Sequence, residues 1–147
     1  MTPLAHSARY LALATALNLG WEILQLPLYT IWTDGSPAQQ TWAVIHCTAG
    51  DALIAASCLG GAVLLLGPRA WPHSRYWTIA VAATIAGMAY TVFSEWLNVG
   101  LRGAWDYAPA MPRAPLIGTG VSPLTQWLVV PSLSFIVTRP RLPTPGP

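Results

Sequence analysis

Lysine is absent from this chain, and charge of either sign is scarce: charged residues make up 8% of its 147 positions. A soluble domain is ordinarily about a quarter charged, so the shortage excludes a disordered polyelectrolyte and argues against a water-solvated surface. The seven basic residues are all Arg, they are scattered, and the net charge is only +2. That excludes a nucleic-acid face, and no nucleic-acid partner is expected. Cysteine is nearly missing as well. Cys47 and Cys58 lie eleven residues apart in one apolar run. On a helix they would share a face but sit about 16 Å apart along the axis, too far for a mutual disulfide. Both are read as small buried residues.

Apolar residues fill the space left by charge, at 54% of the chain. They gather in segments from about Tyr10 to Trp32, Thr41 to Leu66, Tyr76 to Leu101 and Pro123 to Thr138. At about 1.5 Å per residue the first three are long enough to cross a hydrocarbon core of about 30 Å. The fourth would cover about 24 Å. Its start is marked by Ser122-Pro123, Ser as cap and Pro at the first helical position. Apolar Leu116 and Ile117 just before it would dip into the membrane surface. The first run, preceded by Arg9, is read as a membrane helix and not as a removable leader. The expected fold is therefore all-α, an integral membrane four-helix bundle in residues 1–138, with a disordered Pro-rich tail over residues 139–147.

The linkers set the orientation. Asp34-Gly35-Ser36-Pro37 and the stretch Gly67-Pro68 to Pro72-His73 read as turns, whereas Gly103 to Gly120 is long and stiffened by Pro109, Pro112 and Pro115. Arg9, Arg69, Arg75, Arg139 and Arg141 fall on one side, Arg102 and Arg113 with Asp34 and Asp106 on the other. The positive-inside rule then places both termini in the cytoplasm and the long third linker outside, in a bacterial inner membrane. Trp32, Trp42 and Trp105 would mark the outer interface, Trp71 and Trp77 the inner one.

Three of the five acids fall inside these helices: Glu22, Asp51 and Glu95. An acid at mid-membrane costs at least about 2.5 kcal/mol on insertion scales. Helical spacing puts Asn18, Glu22 and Gln25 on one face, continued by Tyr29, and puts Thr91, Ser94, Glu95, Asn98 and Arg102 on another. Asp51 lies over Cys47 and Thr48, with His46 about 140° around the axis. Counted from the expected boundaries, Glu22, His46, Asp51 and Glu95 all fall between the midplane and the outer interface. Gln126 reaches the same level, and Trp105, Asp106 and Tyr107 would lie over the mouth of a polar pocket. Arg102 would anchor at the interface or neutralise Glu95. Glu22 and Glu95 are the leading acid and base, with Asp51 in support. Asn18, Trp21, Gln25, His46, Trp96, Asn98, Asp106 and Gln126 are the candidate binding residues. Polar groups such as Asn18 and Gln126 also have a plain use, as hydrogen-bonded glue between helices.

An acid held protonated beside an ionised one is a general acid and base pair. Aromatic walls from Trp21, Trp96, Tyr29 and Tyr90 would stabilise a carbocation. Such a site suits protonation, isomerisation or cyclisation of a lipophilic olefin. Asn18-Leu19-Gly20-Trp21-Glu22 resembles the N-x-x-W-E motif of integral-membrane terpene cyclases of fungal meroterpenoid pathways. The resemblance implies that Glu22 protonates the epoxide or olefin that starts cyclisation. It covers those five residues; that family is longer, with about seven helices and a second acid late in the chain, for which Asp106 is the counterpart to test. Other classes stay open. Glu22, His46, Asp51 and Glu95 are ligand types suited to Fe, Mn or Zn, although no His-x-x-x-His or Glu-x-x-His pair is present. A membrane glutamate also serves a proton-coupled small-molecule transporter, which would require dimerisation. The chain would equally suit an accessory subunit of a larger membrane complex. No cofactor is expected; the expected partners are membrane lipids and a lipophilic small molecule.

Overall fold

The computed structural model describes residues 2–67 and 71–140. Arg69, Arg141, part of the second turn and most of the Pro-rich tail lie outside the described residues. Five α-helices follow in order: α1 Pro3–Gln25, α2 Ile31–Asp34, α3 Pro37–Leu66, α4 Tyr76–Glu95 and α5 Val121–Thr138. Among the described residues there is no strand, and four helical stretches are long and apolar enough to cross a membrane: Pro3–Leu28, Pro37–Leu66, Tyr76–Arg102 and Val121–Thr138.

Local chemistry explains where these boundaries depart from the hydropathy pattern. The first span begins at Pro3, not near Tyr10, because the Thr2 side chain caps it by accepting from the Ala5 amide at 3.2 Å, with Pro in the first turn. It also ends early. Pro27 lacks a donor, so Leu26–Leu28 tightens into a 3-10 turn, and the stretch to Trp32 becomes the separate single turn of α2. Glu22 consequently sits about 9 Å from the end of its span, nearer the boundary than an unbroken helix to Trp32 would place it. A capping box starts α3 at Pro37: Ser36 Oγ accepts from the Gln39 amide, and the Gln39 side chain accepts from the Ser36 amide at 2.9 Å. α4 stops at Glu95 and passes into a π-helical turn, Trp96–Arg102. α5 starts at Val121 with Gly120 at the cap position; Ser122 does not cap it, because its hydroxyl bonds across to α1.

The spanning helices form a closed ring. α1 packs on α3 and α5, and α4 packs on the same two neighbours. The ring is apolar outside and partly polar inside, the reverse of a soluble bundle. On α1, Asn18, Glu22 and Gln25 are buried while Ile23 and Leu24 are 56% and 81% exposed. At the end where α1 starts and α5 finishes, the core is aromatic. Tyr10 stacks on Phe135 at 4.3 Å, Trp71 stacks on Tyr76 at 5.4 Å, and His6 meets Trp71 edge-on at 5.2 Å. The Tyr76 hydroxyl donates to the Phe135 carbonyl at 2.6 Å, and the Trp71 indole donates to Ser7 Oγ at 3.1 Å. Trp71, expected at an interface, is thus a core residue, whereas Trp32, Trp42 and Trp77 are exposed.

At the opposite end the long linker folds down onto the bundle. It pairs with the segment that follows α1: the Thr30 amide donates to the Asp106 carbonyl at 3.0 Å and the Ala108 amide to the Leu28 carbonyl at 2.9 Å. Its own bonds, Ala114 amide to Thr119 carbonyl at 2.8 Å and Val121 amide to Pro112 carbonyl at 2.8 Å, fold back the tip that carries exposed Leu116 and Ile117.

Candidate functional site

Gln126, near the start of α5, is the hub of a buried polar cluster. Its amide nitrogen lies 3.1 Å from Asn18 Oδ1, 3.0 Å from Glu22 Oε1 and 2.9 Å from Asp51 Oδ2. Gln25 uses both donors of its amide, to Glu22 Oε1 at 2.8 Å and to Gln126 Oε1 at 3.2 Å. Gln25 Oε1 accepts from the Ser122 hydroxyl at 2.7 Å, and Ser122 Oγ accepts from the Trp21 indole at 3.2 Å. Every bond in this chain runs the same way, Trp21 to Ser122 to Gln25 to Gln126, and ends on carboxyl oxygen. The network therefore aims amide dipoles at Glu22 and Asp51 without using a formal cation.

A donor count shows what the cluster holds. The Gln126 amide has two hydrogens for three oxygen neighbours. The Glu22 and Asp51 carboxyls lie against the same Gln126 nitrogen, close enough to interact with each other, and a hydrogen bond between two carboxyls so placed needs a proton on one of them. No arginine among the described residues pairs with Glu22, Asp51 or Glu95; Arg113 pairs with Asp106 instead, at 3.9 Å on the surface. The neutralisation of Glu95 by Arg102 suggested by spacing is not formed. The Trp127 indole lies beside Asp51 and is held there by Gly87. A Cβ on Gly87 would fall 2.2 Å from Trp127 Cε3, so only glycine admits the ring.

Glu95 forms the second part of the site. It accepts a hydrogen bond from the Tyr107 hydroxyl, which in turn accepts from the Gly120 amide at 2.9 Å. Gly120 permits this approach: a Cβ there would meet Met111 Sδ at 3.0 Å and Tyr107 Cε1 at 3.1 Å. The buried Trp105 indole nitrogen lies beside the Glu95 carboxyl. Tyr29 packs against Tyr107 with ring centroids 5.6 Å apart and feels the charges of both Glu95 and Glu22. Burial raises the Tyr29 and Tyr107 phenols above the ordinary tyrosine value, and the neighbouring Glu95 carboxyl raises them further. Both therefore remain hydroxyl donors. Cys47 on α3 lies within electrostatic reach of Glu22, Asp51 and Glu95, which joins the two parts.

Of the residues singled out by spacing, Asn18, Glu22, Gln25, Asp51 and Gln126 meet directly, and Trp21 joins through Ser122. Glu95 stands beside them, close enough to feel the charge of Glu22. Four others are elsewhere. His46 is exposed and stacked on Trp42 at 5.8 Å, because the turn from Asp51 carries it to the outer face of α3. Trp96 is 54% exposed against Phe93. Asn98 lies in the π-helical turn, which breaks the α-helical stripe, and its amide turns back to the Ser94 carbonyl at 2.9 Å. The Asp106 side chain is 69% exposed; its Oδ1 accepts from the Tyr107 amide at 2.7 Å, while Tyr107 is the linker residue that reaches Glu95. With His46 outside, the proposed metal set does not assemble: no three His, Cys, Asp or Glu side chains among the described residues are placed to share an ion. Tyr107, Ser122 and Trp127 were not among the candidates. The linker was expected over the mouth of the pocket, but no local pattern in the sequence singles out Tyr107 as its residue that reaches Glu95. Comparison of the chain with protein-family models, with curated proteins and with solved structures finds no match.

Proposed function

We propose that this chain is an integral protein of a bacterial inner membrane, with both termini cytoplasmic and the Gly103–Gly120 linker outside, that binds an isoprenoid-like lipophilic molecule and acts on it by acid/base chemistry. The observation that carries this reading is the buried, cation-free Glu22–Asp51 pair bridged by Gln126. Structural glue needs amides and hydroxyls, which are cheaper to bury than two carboxyls. A pair sharing one proton can donate and accept in one cycle.

In this reading the Glu22 carboxyl gives its proton to an olefin carbon, and the cation so formed loses a proton from an adjacent carbon to the Asp51 carboxylate. The shared hydrogen bond returns that proton to Glu22, so the double bond moves or a ring closes with no net proton consumed. Asn18 and Gln126 hold the pair, while Tyr29 and Trp21 supply aromatic surface to the cation. The N-x-x-W-E resemblance gives Glu22 the same role. No arginine among the described residues stands at the site, which disfavours phosphate-headed substrates and favours a neutral one.

The test is mass spectrometry of the neutral lipids that copurify, followed by turnover of the identified compound. Glu22→Gln is expected to reduce turnover by about a hundredfold or more, the usual contribution of a general acid, with the thermal midpoint preserved. Undiminished turnover would remove Glu22 from the mechanism. Proton-linked flux of the compound in proteoliposomes, lost in the same variant, would replace the enzyme reading with transport.

A further inference from the structure

A second feature lies away from the acids, on the lipid-facing side between α4 and α5. There the helices leave an apolar groove with a cavity of about 380 Å3. Its floor is built from small residues, Ala80 and Thr84 on α4 and Ser132 on α5, and its walls include Val81 and Ile85 on α4 and Leu128 on α5. Along α4 it runs from Trp77 to Met88, which is about 16 Å of helix. One leaflet of a bilayer core is about 15 Å deep, so the groove traverses a single leaflet and stops near the midplane. Beyond it, the Trp127 ring seated on Gly87 separates the groove from Asp51.

One end of the groove carries a cation. The Arg139 guanidinium stands 5.4 Å above the centroid of the Trp77 ring, at the headgroup end of the groove, and both residues are exposed. A cation over an interfacial tryptophan, at the mouth of an apolar slot one leaflet deep, matches a phosphate headgroup with its chain below. Basic sites between membrane helices bind anionic lipids in this way. A zwitterionic headgroup would bring its own cation to Arg139.

We propose that this groove is a binding site for one anionic phospholipid, its phosphate at Arg139 and one acyl chain lying between α4 and α5 up to Met88. The proposal is independent of the acid-site reading, since the two are divided by Trp127.

Native mass spectrometry of the full chain released from nanodiscs of mixed phosphatidylglycerol and phosphatidylcholine tests it. The expected result is retention of one phosphatidylglycerol per chain in preference to phosphatidylcholine. Arg139→Gln, an exposed and structurally mild change, should weaken that retention by about tenfold, the loss of one charge-assisted contact. Thr84→Trp, which fills the floor of the groove, should weaken it as well. Ala80→Leu provides a smaller filler should the tryptophan variant fail to fold. Equal retention of both lipids, or unaltered retention in Arg139→Gln, would overturn the proposal. Loss in Arg139→Gln with full retention in both groove fillers would reduce it to headgroup binding alone and overturn the seat. A lipid-free dimer abolished by Thr84→Trp would assign the groove to a second copy of the chain instead.

Discussion

Replacing Gln126 by Leu tests the polar cluster at its hub. The side chains are similar in size, so packing changes little, but the variant loses the two donors that serve Glu22, Asp51 and Asn18 and the acceptor that serves Gln25. Measured hydrogen bonds between neutral groups in a membrane protein average about 0.6 kcal/mol, and bonds to charged groups are worth about 1.5–3 kcal/mol. Three lost bonds at the lower value give about 2 kcal/mol. If two of them end on a carboxylate, the loss rises to about 4–7 kcal/mol. The magnitude thus reports whether the pair carries charge. Equilibrium unfolding in mixed micelles, followed by tryptophan fluorescence, supplies the number. Gln126→Glu sharpens the experiment, because it puts a third carboxyl where an amide donated. At neutral pH it should be less stable than Gln126→Leu, and the gap should narrow as the pH falls and the new acid becomes a donor. A Gln126→Leu variant within about 0.5 kcal/mol of the parent, the range of an ordinary surface change, would refute the closed network and with it the argument for a shared proton.

Other outcomes follow from the same geometry. Gly87→Ala drives a methyl into the Trp127 ring and should cost about 1–3 kcal/mol, with a shift in tryptophan emission as the ring leaves Asp51; unchanged emission would contradict that placement. His46→Ala should leave ligand binding and stability unchanged, since His46 stacks on Trp42 outside the cluster; loss of bound ligand would return it to the site. Spectrophotometric alkaline titration should show tyrosines ionising above the free value of about 10, with a late-titrating group missing in Tyr107→Phe. Because the folded chain holds that proton more tightly, its contribution to stability is complete below pH of about 10 and declines as the pH rises further. A Tyr107→Phe titration identical to the parent would sink the bond to Glu95.

The bundle was legible because hydropathy reports membrane spans directly, and so was the Asn18–Glu22–Gln25 face, because an uninterrupted α-helix keeps its angular register. The errors fall where the backbone leaves that register. Pro27 ended the first helix early, and the π-helical turn after Glu95 removed Asn98 from the stripe that contained it. His46 was drawn in by depth, although its offset of about 140° from Asp51 already turned it toward another face. Tyr107 was hidden for another reason. Its contact with Glu95 depends on how an 18-residue linker, Gly103–Gly120, folds back, and that is settled by backbone bonds to Leu28 and Thr30 rather than by any pattern around Tyr107.

The distribution of packing along the bundle bears on how a site can open in so small a protein. At one end Tyr10, Phe135, Trp71, Tyr76 and His6 interlock as a buried aromatic core, and the Tyr76 hydroxyl fastens α4 to the last turn of α5. At the other end the helices are joined by amides and carboxyls and roofed by a linker attached through a few backbone bonds and the Tyr107–Glu95 contact. The burial of Tyr10, Phe135, Trp71 and Tyr76 does not depend on the protonation of the acids; the polar joints do. A proton leaving the Glu22–Asp51 pair, or a ligand competing for Glu95, weakens the second end and leaves the first intact. Under the proposed function, the polar end is therefore the one expected to part for a ligand, with the aromatic end held. Regions that must move are drawn from the less stable parts of a fold, and here that division coincides with the boundary between aromatic and polar packing.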